Sequence, residues 1–385
     1  MIDCNCASFY FLRERMEKVF ERKTKEGRPV LAICYDFDKT LSPDDMQAQG
    51  YIQSVGYEVE SFWTESNGLA ESNEMDQNLA YMYTMIQKAR GRFIFNRKTL
   101  MDYGAKVSLF PGVDTWFKRI REYGETKGVI VEHYIISSGL KEMIEGTKVA
   151  NEFEKIYASS FYYDENGEAK WPAQVINYTS KTQFLFRIVK GTLDVNDSGV
   201  NDYFNPEDIR IPFRNMVYIG DSDTDIPCMK LVNSNSGHSI GVYNPKTRDR
   251  RKVYKMMEDK RIKYFAPADY TDNSELDKLV KAIIDQTASN EKLMSVHFQC
   301  KQEQVDHNMN IDSHEDREKQ KLILDLENSN SFKQTHSVIS KLKQIKKWTR
   351  GEKIQLQEIA KTNNQVSYII DDDDVADFYK SISAD

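Results

Sequence analysis

No run of apolar residues in this chain approaches the roughly 20 needed to cross a bilayer. The N-terminus, with Asp3, Arg13, Glu14 and Arg15 around a short apolar patch, shows no secretory pattern. No membrane partner is expected, and the chain is expected to stay in the cytoplasm. Cysteine is scarce: the five, at positions 4, 6, 34, 228 and 300, are scattered, and two fall inside apolar strand or helix patterns. That argues against a disulfide framework. Cys4 and Cys6 have no second Cys/His pair at ligand spacing beside them, which argues against a zinc site. An excess of positive charge is missing too. Lys and Arg number 53 against 60 Asp and Glu, a net charge of −7, which opposes attraction of the whole protein to nucleic acid. A local basic patch remains compatible with that balance.

What is present is an ordinary globular composition, 40% hydrophobic and 29% charged, in 385 residues. That length exceeds the usual single-domain range, so two or more folding units are expected. Val30 to Tyr35 is an almost wholly apolar run, which reads as a strand buried on both faces of a parallel sheet. It ends in Asp36 and Asp38, spaced i, i+2. Two acids where a buried strand surfaces raise each other's pKa unless a cation or hydrogen-bond donors compensate, so the pair points to a metal.

The pattern repeats further along. Val129 to Ile136 reads as a β-branched strand ending at Ser137-Ser138-Gly139 before a helix, the layout of an anion site at a helix N-terminus. Met216 to Ile219 is another buried-strand run, ending in Gly220-Asp221-Ser222-Asp223-Thr224-Asp225. Between them, Ile156–Tyr163 and Trp171–Tyr178 read as a hairpin about Asp164-Glu165-Asn166-Gly167. Ser180-Lys181-Thr182 then opens a helix, and a lysine in a first helical turn opposes the helix dipole, so it needs another reason to be there. Ligands in open α/β sheets bind outside the carboxyl ends of strands. Acids at two such ends, a serine at a third and Lys181 nearby form one candidate site.

The rest of the chain frames these motifs. Residues 7 to 23 have helical spacing. Leu41 to about Val107 is a helical insertion, with Leu79, Met82, Tyr83 and Ile86 on one face of the helix from Glu74 to Arg90. Arg90, Arg92 and Arg97 cluster at its end. Ser239–Tyr243 and Lys263–Ala266 add strands, and Glu275–Ile284 a closing helix.

In that order, Asp36-Phe37-Asp38-Lys39-Thr40, Ser137-Ser138-Gly139, Lys181 and Gly220-Asp221-Ser222-Asp223-Thr224-Asp225 resemble the four motifs of the haloacid dehalogenase superfamily. Leu109-Phe110-Pro111-Gly112-Val113 is similar to that family's entry into the helix before its second motif. The helical insertion and the hairpin resemble those of phosphoserine phosphatase-like members. The resemblance implies a Rossmann-like, doubly wound α/β core with a helical cap. It implies Asp36 as the nucleophile, forming an aspartyl-phosphate, and Asp38 as general acid and base. Mg²⁺ would be held by Asp36, the Asp38 carbonyl and Asp221, with Asp225 in support. Ser137 and Lys181, with Ser138 and Gly139 beside them, would bind the phosphoryl group, and Thr40 would orient the first-motif loop. Asp223 is one more carboxylate than that pattern needs. Asp38 points to phosphatase or phosphomutase chemistry, because dehalogenase-type members lack an acid there.

The expected organisation is a core of residues 1–41 and 108–286, a cap of 42–107, a polar linker or solvated helix over 287–330 and a helical module over 331–385. In that module Val338, Leu342, Ile345 and Trp348 form an amphipathic stripe, and Thr349 to Glu352 reads as a capping box. At about 55 residues it suits docking or self-association better than a pocket of its own. Its basic run, Lys341, Lys343, Lys346 and Lys347, reads as a solvated face. The expected activity is Mg²⁺-dependent hydrolysis of a small phosphorylated metabolite. The alternatives are a phosphotransferase or phosphomutase, a nucleic-acid end phosphatase, or a non-catalytic phosphate sensor signalling through the module.

Overall fold

A computed structural model describes residues 20–204, 208–309, 314–345 and 347–383. Cys4, Cys6, Lys346 and all but the last four residues of the helix expected over 7–23 lie outside the described residues. Phe20 to Lys23 are not helical.

Seven strands form one sheet: β1 (Val30–Tyr35), β2 (Ile130–Leu140), β3 (Lys155–Tyr163), β4 (Ala169–Gln174), β5 (Met216–Gly220), β6 (His238–Tyr243) and β7 (Tyr264–Pro267). The order is β4-β3-β2-β1-β5-β6-β7, parallel except for the β3–β4 hairpin. β1 alternates between two cores: Leu31, Ile33 and Tyr35 pack on one face, and Val30, Ala32 and Cys34 on the other. A strand apolar at every position is therefore required, as its sequence shows. Tyr35 lies opposite Ile135 on β2 and Ile219 on β5, so the three strands finish nearly level. Asp36, Ser137 and Asp221 leave the sheet at one edge for that reason.

The insertion after β1 holds α1 (Tyr51–Ser54), α2 (Val59–Ser72), α3 (Gln77–Ala89) and α4 (Arg97–Gly104), and its apolar residues join the first core. The buried face of α3 differs from the expected one. Tyr81, Met82, Met85 and Ala89 are buried whereas Tyr83 is exposed, because the helix is apolar on several sides and its spacing alone does not choose among them. Of the core helices, α5 (Val113–Thr126), α6 (Lys141–Gly146) and the start of α10 (Glu275–Met309) contribute to this first core. α7 (Thr182–Lys190), α8 (Ile226–Ser234) and α9 (Arg251–Glu258) contribute to the second. α4 and α6 pack almost backbone to backbone. A Cβ on Gly104 would stand 1.9 Å from the Met143 carbonyl oxygen, and one on Gly146 2.1 Å from that of Met101.

Two sequence boundaries shift. α10 passes without a break through residue 286, so the polar stretch 287–309 is helix rather than a flexible linker. α11 (His314–Glu327) buries Ile323 and Leu326 in a third apolar cluster with α12 (Phe332–Leu342), α13 (Arg350–Thr362), α14 (Asn364–Tyr368) and α15 (Asp373–Ser383). The C-terminal module therefore takes in α11 and begins before residue 331. The capping box at Thr349 and Glu352 is formed.

A buried ion network beneath the sheet had no signal in the sequence. Glu132, on β2, accepts from both terminal nitrogens of Arg210 at 2.7 Å, from Lys23 at 2.8 Å and from the Tyr134 hydroxyl at 2.6 Å. Its partners stand 109 and 78 residues away in the chain.

Candidate active site

Asp36 follows the last residue of β1 and is buried. Its Oδ1 forms an ion pair with Lys181 Nζ at 3.3 Å and has no hydrogen bond among the described residues. Burial and then the charge of Asp225 push its pKa up to about 6, against the opposing pull of Lys181 and the Ser137 hydroxyl. Asp38 lies two residues on, where Lys39 turns the chain with a left-handed φ of 57°. Its Oδ1 accepts from the Met46 backbone at 2.8 Å, which fixes the carboxyl to the first turn of the insertion. Burial, followed by the charges of Asp45 and Asp36, holds Asp38 well above the usual carboxylate range. Two acids spaced i, i+2 thus have separate surroundings.

Lys181 is wholly buried at the N-cap of α7 and bonds Asp225 Oδ1 at 2.7 Å. Burial works to discharge it, but Asp225 and Asp36 outweigh burial, and its pKa rises. Asp225 is occupied at both oxygens. Oδ1 accepts from Lys181 and, at 2.9 Å, from the Tyr218 hydroxyl; Oδ2 accepts from the Ser222 amide and hydroxyl, each at 3.0 Å. Asp221, partly exposed, has Lys252 at 3.7 Å as its ion-pair partner among the described residues. Burial pushes its pKa up to about 7, with Lys252 opposing and Asp225 and Asp36 reinforcing.

Asp36, Asp221 and Asp225 each place a carboxylate oxygen within 4.8 Å of the others. Oxygen donors of this kind suit a hard cation such as Mg²⁺. The unpartnered Asp36 Oδ1 fits a missing electrophile, so the residues fit the ion. With Asp225 filled by four donors, Asp36 and Asp221 keep the free oxygens. Asp223 is exposed and stands outside this group.

Ser137, on the same edge, is buried, and its Oγ accepts from the Gly139 amide at 3.1 Å. β2 does not stop at Ser137 as the sequence reading expected. It continues to Leu140 through a shift of register against β3 between Ser137 and Leu140, and α6 starts at Lys141 with Leu140 as its N-cap, so Ser137, Ser138 and Gly139 lie on a bulged strand end directly before the expected helix. A Cβ on Gly139 would stand 2.9 Å from Asp38 Oδ2, which explains a glycine there. Among the described residues the buried Ser138 Oγ and Thr40 Oγ1 have no hydrogen-bond partner. Tyr270 donates to the Thr40 carbonyl at 2.8 Å and so ties down the first-motif loop. From the insertion, the Tyr81 hydroxyl donates to the Ser138 carbonyl at 2.9 Å. Arg97 is turned elsewhere, to Glu145 at 2.8 Å. Tyr218, Ser222 as a partner of Asp225, and Tyr81 escaped the sequence reading. Tyr218 and Tyr81 sit inside apolar patterns, where a hydroxyl gives no separate signal.

Strand-end carboxylates around a buried lysine on a doubly wound sheet define a hydrolase site of one class. The chain belongs to the haloacid dehalogenase-like hydrolase family, whose model matches residues 33–230, just over half of the chain. A protein of Borreliella burgdorferi, described only as uncharacterized, is 28% identical over 281 residues, spanning 65% of this chain and 95% of that one. Among solved structures, a HAD family hydrolase of Salmonella enterica serovar Typhi is 16% identical with a TM-score of 0.43, over 67% of this chain and 73% of that one. A probable phosphoserine phosphatase of Vibrio cholerae is 11% identical with a TM-score of 0.44, over 69% and 67% of the two chains. A phosphoserine phosphatase carrying a phospho-aspartyl intermediate analogue is 13% identical with a TM-score of 0.40, over 66% and 99%.

Proposed function

We propose that this chain is a Mg²⁺-dependent phosphatase that hydrolyses a small phosphomonoester through an aspartyl-phosphate on Asp36. The observation that carries the reading is Asp36 Oδ1, buried, unpartnered and beside the Lys181 ammonium at 3.3 Å. A carboxylate oxygen left without a donor is a competent nucleophile, and attack on phosphorus divides one difficult displacement into two.

The other residues take roles from where they stand. Asp38, whose carboxyl is held well above the usual range by burial and then the neighbouring acids, is suited to donating a proton to the departing oxygen. The resulting carboxylate then takes a proton from the water that cleaves the acyl phosphate. Lys181 and Ser137 receive the non-bridging oxygens, and the otherwise unpartnered Ser138 and Thr40 hydroxyls offer further donors. Asp225 positions Lys181 through its 2.7 Å contact. When bound at Asp36 and Asp221, Mg²⁺ supplies charge neutralisation for the phosphoryl group. The helical insertion, joined to the site through Met46 and Tyr81, acts as a cap that selects the leaving group. Among the described residues no helix is long and apolar enough to cross a membrane; the reading is of a cytoplasmic enzyme, with the C-terminal module as a docking element for a protein partner or a second copy.

The test is release of phosphate from p-nitrophenyl phosphate with and without Mg²⁺, beside Asp36→Asn. Metal-dependent turnover that disappears in the folded variant is expected. Equal turnover by the two proteins, or none with any divalent metal, overturns the reading.

A further inference from the structure

The loop after β6 and the first turn of α9 are the most basic part of the active-site edge. Ten residues, Lys246 to Lys255, contain Lys246, Arg248, Arg250, Arg251, Lys252 and Lys255 against one acid, Asp249, in a chain whose net charge is −7. β6 runs parallel to β5, with Gly241 opposite Gly220, so its following loop leaves the sheet on the same side as Asp221. Lys252 Nζ stands 3.7 Å from Asp221 Oδ2, at the start of the strip. Lys39, on the first-motif loop and itself paired with Asp45 at 2.8 Å, is a second ammonium whose field reaches Asp221.

Three of these six cations have partners within the chain: Lys252 has Asp221, Arg251 is held by Asp249 at 2.5 Å, and Arg250 stacks over the Tyr243 ring at 5.0 Å. Among the described residues no carboxylate is within ion-pair distance of Lys246, Arg248 or Lys255, and all three are exposed. Like charges packed this closely repel one another, and an anion lying along them relieves that repulsion. The scissile phosphate is not that anion, because it is received at Asp36, Ser137 and Lys181, on the other side of Asp221 from the loop.

On the reading that this edge hydrolyses a phosphomonoester, we propose that the loop 246–255 is a second anion subsite and that the leaving group carries at least one further phosphate. Exposed fork-shaped guanidinium groups suit a phosphate in any of several orientations, and the flexible lysines add charge without demanding a fixed geometry. Two sources offer this chemistry: a nucleoside bisphosphate, and the phosphorylated end of an oligonucleotide.

The experiment uses the full chain and the triple variant Lys246→Gln, Arg248→Gln, Lys255→Gln, whose exposed positions spare the core. Turnover of a nucleoside bisphosphate, a 5′-phosphorylated oligonucleotide and p-nitrophenyl phosphate is compared. The variant is expected to lower the preference for a doubly phosphorylated probe over the aryl phosphate by about tenfold, chiefly through KM, with a loss of similar size on raising salt in the wild type. An unchanged preference overturns the proposal. The better of the two phosphorylated probes identifies the source. Equilibrium dialysis of both probes against catalytically dead Asp36→Asn, with and without the triple change, gives a readout that needs no turnover. Salt-sensitive binding lost in the variant supports the subsite even where hydrolysis fails, and equal binding or none sinks it.

Discussion

Asp36 and Asp225 are both buried carboxylates in contact with Lys181, yet their surroundings assign them different work. Asp225 accepts from four donors, whereas Asp36 Oδ1 accepts from none. Replacing Asp225 by Asn removes the closer of the two carboxylates from the buried Lys181 and leaves Asp36 at 3.3 Å, and breaking such a pair costs on the order of 3 kcal/mol. Denaturant unfolding of Asp225→Asn should show that loss. Asp36→Asn should be no less stable than the wild type in metal-free buffer near pH 7. The Asp36 pKa of about 6 stands above its ordinary 3.8, so its ionised form weakens the fold as pH rises through that interval, and the amide removes the penalty. At Asp38, loss of the proton donor in Asp38→Asn should cut turnover by about 10²–10⁴ for an alkyl phosphate. The loss should be smaller for p-nitrophenyl phosphate, whose leaving group departs without protonation; steady-state kinetics on the two esters checks the difference. The acids themselves were legible in the sequence because each interrupts an apolar run at a strand end. Their partners were not, since the Tyr218 hydroxyl is hidden in an apolar strand pattern and Lys181 meets Asp225 across a separation of 44 positions.

At the scale of elements, the sheet was readable and the contacts between elements were not. The core strands, the hairpin and the helical insertion follow from period-2 and period-3.6 patterns. The face of α3 does not, because the apolar side chains surround much of the helix. The Glu132 network follows even less, because a lone acid in a β-branched strand has no local mark of its partner. Burial alone would raise the Glu132 pKa, but hydrogen bonds from Arg210, Lys23 and Tyr134 overrule it and hold the pKa at about 2, below the ordinary 4.5. A depressed carboxylate contributes stability above its ordinary pKa and loses it as pH falls through the folded value. The wild type should therefore weaken between about pH 4.5 and pH 2 through this group. Glu132→Gln should lack that part of the acid transition and be less stable by about 3 kcal/mol at neutral pH, since it takes the buried partner from Arg210 and leaves that guanidinium only the half-exposed Glu26 among the described residues. Thermal unfolding across pH separates the two proteins. The α4–α6 contact makes another prediction at this scale. A methyl on Gly104 would fall 1.9 Å from a backbone oxygen, so Gly104→Ala should cost about 1–3 kcal/mol or more through overpacking, measured by the same method.

For the whole molecule, the question is where one cooperative unit ends and the next begins. The first two apolar clusters share the sheet, and the third, from Ile323 to Ile382, contains no residue of either. α10 bridges them with a distal half that is exposed, Leu293, Val296 and Phe298 among its residues, and Lys301 reaches Glu327 on α11 at 3.1 Å. Composition placed the boundary near 331 because residues 287–330 are rich in Gln, Asn, Glu, Asp and Lys, with their apolar residues scattered among them. Only packing shows that Ile323 and Leu326 belong to the later unit. Two truncations distinguish these boundaries. A chain ending at residue 309 removes the third cluster entire, and should remain monomeric on gel filtration with the phosphatase turnover of the full chain. A chain ending at 330 keeps α11 but deprives Ile323 and Leu326 of the apolar residues of α12 to α15, and each fully exposed aliphatic side chain of this size forfeits roughly 1.5–3 kcal/mol of burial. It should associate or unfold at α11, seen as earlier elution and a lower helical signal per residue. Residues 314–385 alone should melt in one cooperative helical transition. Identical behaviour of the two truncated chains would show that α11 does not belong to the module.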